Sequence, residues 1–343
     1  MRILVIGASG LVGSNIAVAA AQQNWEVLGT WRSEPVEIFG ASVTGLDLSE
    51  RSAGVAVASA FEPDVIVHVA GDGRAGRFER DARLSELFVH GVEHTLAAAR
   101  IVRARHVLVS CDWVFSGLRS SGRRWDETDL PEPVNAYGRA HLAAEELVCD
   151  SNVPGLITRM GDVYGVNLSK PARGLRGERS KVVGAGGSGR REGAGGGRLA
   201  WHVWERSGAA LRLVRLLLAG KPLPAPKDVY RSPTYAWDYA QRLCELLAQR
   251  REGIIHTAGP DSVHRREYLR ALALAFHGDP ELVHEGSLAG LLEASGEDPS
   301  LPLPPNTALA GERARVALGH PSVDMEAGLG LMSDQLHRVL NGP

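Results

Sequence analysis

Along most of the chain, short runs rich in valine and isoleucine alternate with amphipathic stretches of helical length. The runs predict strands at Arg2–Ile6, Glu26–Thr30, Asp64–Val69, His106–Ser110, Gly155–Arg159 and Gly253–Thr257, with a shorter one near Ser42–Leu46. The stretches between them predict helices at Leu11–Gln22, Arg83–Arg103, Ala136–Cys149, Tyr235–Gln249 and Arg265–Phe276. Strands that are apolar on both faces and separated by helices belong to a parallel sheet covered on each side. The fold class expected is therefore α/β, a doubly wound parallel sheet of the Rossmann kind with a smaller C-terminal lobe. The division expected is a first domain over 1–165, which also receives about 228–260, and a second lobe over 166–227 and 260–343.

One stretch departs from this pattern. From Asn167 to Ala200 the chain is rich in Gly and Arg, most densely from Gly184 to Gly197. Such a stretch buries too little apolar surface to offset its ordering entropy, so 167–200 reads as a flexible insertion. The alternative is a mobile lid. Its Lys170, Arg173, Arg176, Arg179, Lys181, Arg190 and Arg191 outnumber Glu178 and Glu192, an excess that suits an anionic substrate such as a nucleotide diphosphate sugar.

Composition narrows the class. A formal net charge of -2 over 343 residues gives no general attraction to nucleic acid or to a membrane surface. No apolar run approaches the length of a membrane span, and the apolar start at Met1–Gly7 breaks at a glycine turn instead of a cleavage site. Cys111, Cys149 and Cys244 are too scattered for a disulfide framework or a zinc cluster, which fits a reducing cytoplasm. His90 and His94 have metal-ligand spacing on a helix, but no third ligand adjoins them, so no metal is expected. Trp201 and Trp204 read as packing residues of the second lobe.

The first candidate chemistry lies where the first strand meets the first helix, at Gly7-Ala8-Ser9-Gly10-Leu11-Val12-Gly13. Gly7 permits a tight turn, Gly10 lets backbone approach a pyrophosphate, and Gly13 lets helix pack closely on strand. The helix start then offers free N–H groups and a positive dipole end to phosphates. Asp47 and Leu48, after the third strand, and Val69, Ala70 and Gly71, after the next, complete a dinucleotide site in this reading, with Ser9 in the turn itself. The end of the second strand separates NAD from NADP. An acid there bonds a ribose 2′-hydroxyl and repels a 2′-phosphate. The chain reads Gly29-Thr30-Trp31-Arg32-Ser33, so Arg32 can pair with a 2′-phosphate while Ser33 or Thr30 donates to it. NADP(H) is the cofactor expected and NAD(H) the less favoured one. The competing view makes Arg32 a solvated surface residue.

Further segments carry a family likeness. Ser110-Cys111-Asp112-Trp113-Val114-Phe115-Ser116-Gly117, Asn135-Ala136-Tyr137-Gly138-Arg139-Ala140-His141, Arg159–Gly165, Arg231–Tyr235 and Gly253–Gly259 together resemble the extended short-chain dehydrogenase/reductases, and among them the dTDP-4-dehydrorhamnose reductase group. The resemblance implies carbonyl reduction in which a tyrosine gives the proton, a lysine bonds the nicotinamide ribose and stabilises tyrosinate, and a Ser or Thr holds the substrate oxygen. Carried over by position, these are Tyr137, His141, and Cys111 or its neighbour Ser110. The implied function is NADP-dependent reduction of a carbonyl, of the 4-keto nucleotide-sugar kind or a related biosynthetic intermediate. The resemblance also implies a homodimer.

Only the tyrosine is unchanged from the family pattern. A thiol is a weaker donor than a hydroxyl, and histidine, with an ordinary pKa of about 6.5, is largely uncharged at neutral pH. Were His141 to titrate normally, activity would rise as pH falls toward that value. His90 stands where the family often has an asparagine, and Gly71-Asp72-Gly73 where it usually carries small or apolar residues. These departures keep two alternatives open: a cofactor-binding regulatory or scaffold protein without turnover, for which the family has a precedent in a regulatory subunit of methionine adenosyltransferase, and a redox-neutral lyase or cyclase.

Overall fold

The computed structural model describes residues 1–120, 122–172 and 206–341. Seven strands form one parallel sheet: β1 (Arg2–Ile6), β2 (Glu26–Trp31), β3 (Ser42–Gly45), β4 (Val65–His68), β5 (Arg105–Cys111), β6 (Gly155–Met160) and β7 (Gly253–His256). Their order is β7-β6-β5-β4-β1-β2-β3. Ile3 stands opposite Val27 of β2 and Val65 of β4, so β1 is an inner strand paired on both sides. The chain winds outward from β1 first toward β3 and then toward β7. Ligand crevices of doubly wound sheets open where that direction reverses, here between the C-terminal ends of β1 and β4.

Alternation along β1 sorts the two faces. Ile3 and Val5 point into a core with α1 (Leu11–Gln22) and α7 (Ala236–Ala248), and Leu4 and Ile6 into one with α2 (Arg51–Phe61), α4 (Arg83–Val102) and α5 (Ala136–Asp150). Between α2 and α4 the short helix α3 (Ala75–Arg80) follows the loop after β4. A further apolar core gathers α6 (Ala209–Leu218), α8 (Arg265–Ala275), α9 (Leu288–Ala294) and α11 (Met325–Asn341) around the parallel pair Leu223–Ala225 and Val283–Glu285. Helix α10 (Glu312–Leu318) packs back against β7.

The doubly wound sheet expected from the pattern is present, each predicted strand lying within a residue or so of an observed one. The predicted helices are also present. Helices α2, α3, α6, α9, α10 and α11 add to them. The predicted insertion over 167–200 falls mainly outside the described residues, as do Trp201 and Trp204. Its first six residues do not behave as an insertion. Asn167 and Ser169 are fully buried, and Lys170–Pro171 pairs antiparallel with Val36–Glu37. Among the described residues no helix is long and apolar enough to cross a membrane.

Candidate active site

The site begins at the glycine turn. Gly7 has φ of 94°, a left-handed conformation that favours glycine, and a Cβ there would lie 2.7 Å from the Ala70 backbone. A Cβ on Gly13 would lie 2.3 Å from the Gly7 carbonyl oxygen, so helix and turn touch without room for any side chain. The Gly10 N–H donates to the Gly7 carbonyl (3.1 Å) and the Thr30 hydroxyl accepts from the Gly7 N–H (3.0 Å). Helix α1 starts at Gly10 without a side-chain cap and without an acid in its first turn. The first intrahelical bond runs from the Ser14 N–H to the Gly10 carbonyl (2.9 Å). The amides of Leu11, Val12 and Gly13 therefore have no acceptor within the helix. Bare amides, a positive dipole end and a surface that excludes side chains suit a pyrophosphate.

The flanks of this turn come from several strands. Val69 continues β4, its N–H donating to Ile6 (3.0 Å), and Ala70 lies beneath Gly7. Gly71 is exposed beside Phe88. Arg32 and Ser33 are exposed just past β2. Asp47 is exposed and accepts from the Ser49 N–H (3.0 Å), the main cause of its lowered pKa, with Arg32 adding to it. Half-buried Leu48 packs against the α2–α4 layer, and its carbonyl accepts from His94 Nδ1 (2.8 Å).

Tyr137 stands on the first turn of α5. The Asn135 side chain caps that helix by accepting from the Gly138 N–H (2.8 Å), while its Nδ2 donates to the Pro302 carbonyl (2.9 Å). A Cβ on Gly138 would lie 2.1 Å from the Trp113 carbonyl oxygen, so a glycine lets the helix press against the turn after β5. The Tyr137 ring is half-buried and meets Phe78 and Trp113 edge to face, with centroids at 5.1 and 5.6 Å. His141, one turn on, lies 4.5 Å from Tyr137 and 4.5 Å from Phe88, ring to ring. Burial, aided by nearby His68, lowers the His141 pKa to about 3, and its Nδ1 has no hydrogen-bond partner among the described residues. Burial also raises Tyr137 well above its ordinary value, with the Asp112 and Asp72 carboxylates adding to the effect. The surroundings of His141 favour the neutral imidazole across the physiological range.

Cys111 closes β5 and is buried, and its thiol is held un-ionised by burial and by Asp112. The neighbouring Ser110 points elsewhere. Its hydroxyl donates to Glu145, which is clamped by Arg159 (2.6 Å) in a fully buried pair. Of the two hydroxyl-position candidates, Ser110 is thus engaged by the buried Glu145–Arg159 pair, and Cys111 is the one next to the turn that Tyr137 packs on.

Residues 1–174 match the family model described as the RmlD substrate binding domain. The chain belongs to that family, within the extended short-chain dehydrogenase/reductases. It is 25% identical over 292 residues to a probable low-salt glycan biosynthesis reductase, Agl14, of Haloferax volcanii, covering 85% of each chain. It is 26% identical over 285 residues to methionine adenosyltransferase 2 subunit beta of Pongo abelii, covering 80% of this chain and 72% of that one. Among solved structures, the dTDP-4-dehydrorhamnose reductase of Bacillus anthracis in complex with NADP superposes with a TM-score of 0.73 at 19% identity, covering 97% of this chain and 99% of that one. The Thermus thermophilus UDP-glucose 4-epimerase in complex with NAD superposes with a TM-score of 0.74 at 19% identity, covering 98% and 99%.

Within this RmlD-family chain, several site residues are ones to which sequence reasoning gave no role. Asp112 is buried, accepts from the Thr307 hydroxyl, and has its pKa raised to about 7 by burial, against the pull of the Arg231 charge. Arg231 is itself buried and donates to the carbonyls of Tyr230, Pro304 and Pro305. Asp72 faces Tyr137 from the loop before α3. It is half-buried and burial opposes its charge, yet bonds from Arg74 outweigh that and lower its pKa. Leu288, Leu292, Leu301 and Leu303 bring the C-terminal half of the chain against Trp113 and Tyr137. Asp112, Arg231 and Asp72 all lie within segments named from the sequence but carried no assigned role there, and the leucines depend on contacts between distant segments. His90 and His94 stack at 6.5 Å, and the bond from His94 to Leu48 gives that ring a structural role.

Proposed function

We propose that this protein is an NADP(H)-dependent reductase of a carbonyl compound of the 4-keto nucleotide-sugar class. The observation that supports the reading is the packing of Tyr137 edge to face on Trp113, two residues past Cys111 at the end of β5, together with the uncapped start of α1. The glycine turn, with Ser9, Val69, Ala70 and Gly71 around it, fits a pyrophosphate in size and polarity. Arg32, Ser33, Asp47 and Leu48 would hold the adenosine end. Membership of the RmlD family and the likeness to a glycan-biosynthesis reductase support the substrate class. The core built from 166–227 and 260–343 would be the substrate lobe.

When bound, the reduced nicotinamide supplies the hydride. The Tyr137 hydroxyl, un-ionised at every physiological pH, gives its proton to the carbonyl oxygen. Cys111 lies against the same oxygen as a weak donor, and the faces of Phe78 and Trp113 keep water from the phenol. His141 sets the ring position of Tyr137 but brings no positive charge to it.

A second reading is favoured by that missing charge: a protein that retains the cofactor without turning over. The similarity to a subunit named for methionine adenosyltransferase supports it. The two readings separate in one assay. Purified protein is mixed with NADPH and a panel of 4-keto nucleotide sugars, and the loss of NADPH absorbance is followed. A reductase oxidises NADPH with at least one member, and Tyr137→Phe lowers kcat by about 100-fold or more with NADPH affinity unchanged. Tight NADPH binding without oxidation by any member selects the second reading. No binding overturns both.

A further inference from the structure

We propose that Arg206 is a second determinant of cofactor choice, gripping the ribose 2′-phosphate together with Arg32 and held in reserve by Glu34 until that phosphate arrives. The inference rests on the cofactor site proposed above.

Two independent ties fix where Arg206 stands. Its backbone carbonyl accepts from Asn167 Nδ2 (3.2 Å), and the same Nδ2 donates to the Ser9 carbonyl in the glycine turn (3.1 Å). Its side chain reaches past β2, where Nη1 meets Glu34 Oε2 at 3.3 Å. Arg206 therefore spans from the pyrophosphate turn to the end of β2. An adenosine ribose must occupy that interval, because its 5′ side leads to the turn and its 2′ position faces the strand end. Ser207 adds rigidity, its hydroxyl accepting from the Asn167 N–H (2.8 Å). The guanidinium is about one-third exposed, so a ligand can reach it.

Glu34 competes with the phosphate for Arg206. A free carboxylate two residues beyond Arg32 would repel a 2′-phosphate. Paired with Arg206, its charge is compensated. A dianionic phosphate outcompetes one exposed carboxylate for a guanidinium, because it offers more charge and a bidentate edge. A neutral 2′-hydroxyl offers neither, and leaves the pair intact. The exposed Arg32, whose charge already reaches Asp47, would close the other side of the phosphate.

The test is calorimetric titration of the full chain, unmodified and as Arg206→Ala, Arg206→Lys and Glu34→Gln, with NADPH and with NADH. The expected result for Arg206→Ala is an NADPH affinity weaker by about tenfold, with NADH affinity changed less than twofold, the size of one charge-assisted hydrogen bond. Arg206→Lys recovers part of the loss, and Glu34→Gln strengthens NADPH alone by a few-fold. Equal losses for both nucleotides in Arg206→Ala would mean that the residue only props the turn, and would overturn the proposal. So would an unchanged NADPH affinity. If the unmodified chain binds neither nucleotide, it is the cofactor site itself that fails, a result distinct from both.

Discussion

The residue that most alters the expected chemistry is His141. In the family pattern a lysine at that place keeps a permanent cation beside the tyrosine, and here a buried imidazole with a pKa of about 3 stands instead. Its surroundings favour the neutral form. Phe88 and Tyr137 pack on its ring, His68 lies near enough to oppose a second positive charge, and Nδ1 meets no acceptor among the described residues. Burial raises the Tyr137 pKa and no cation at 141 opposes it; in the proposed reduction this slows proton delivery without abolishing it. Two outcomes follow. The pH profile of kcat should be free of any step from His141 between about pH 5.5 and 8. The substitution His141→Lys should raise kcat for a keto-sugar by about tenfold or more, because a cation near the phenol lowers its pKa toward neutrality. A step near pH 6.5 that vanishes in His141→Gln would contradict the first, and a His141→Lys protein that folds and binds NADPH but gains no rate would contradict the second.

At the scale of elements, the most constrained joint is the one between β1 and α1. A Cβ on Gly13 would come within 2.3 Å of a carbonyl oxygen, whereas one on Gly73 would meet nothing within 4 Å. Gly13→Ala should therefore cost roughly 1–3 kcal/mol of stability and most of the nucleotide affinity, and Gly73→Ala should leave both near their original values. Chemical denaturation and NADPH titration of the two variants check this, and equal behaviour would refute it. The same joint shows what a sequence can carry. A glycine pattern between an apolar run and a helix is local, so turn, strand and helix were all legible, as were the other sheet strands, whose Val- and Ile-rich runs are buried on both faces. Helix α2 escaped notice because Arg51–Phe61 is short, mostly Ala, Val and Ser, and buries only Gly54 and Ala58. The bond from Thr307 to Asp112, 195 residues apart, and the strap from Asn167 to Ser9, 158 apart, have no local signature at all. The candidate site was legible where it sits on a motif, and invisible where the later half of the chain folds back on it.

For the whole molecule, the buried histidines decide how the fold answers acid. His68, His106, His141 and His256 are all buried, with pKa values lowered by burial to about 4, 3, 3 and 3 respectively. His68 and His106 share the hydroxyl of Thr95 at 3.0 Å each, and His68 Nε2 donates to the Ala70 carbonyl, so this pair holds the loop that lies under the glycine turn. A depressed folded-state pKa means that the unfolded chain takes up these protons first, as pH falls through about 6.5. Folding stability is then lost steadily from that point down to the folded values. Asp112 works in the opposite sense, because its raised pKa of about 7 lets the folded state take up a proton before the unfolded one does. The four histidines against Asp112 leave the unfolded state ahead by about three protons near pH 5.5, each worth about 1.4 kcal/mol per pH unit, with His320, raised by its bond to Glu245, easing the loss nearer neutrality. For a chain of this size the thermal midpoint should fall by roughly 5 °C between about pH 7.5 and 5.5. His106→Gln, which keeps a polar group at the Thr95 hydroxyl and cannot charge, should flatten that fall. Because the histidines and the glycine turn meet at Val69–Gly71, nucleotide affinity should decline over the same interval, ahead of global unfolding. Scanning calorimetry across pH, paired with NADPH titration, measures both, and a midpoint that stays level or rises on acidification would mean that these rings are not neutral in the folded protein.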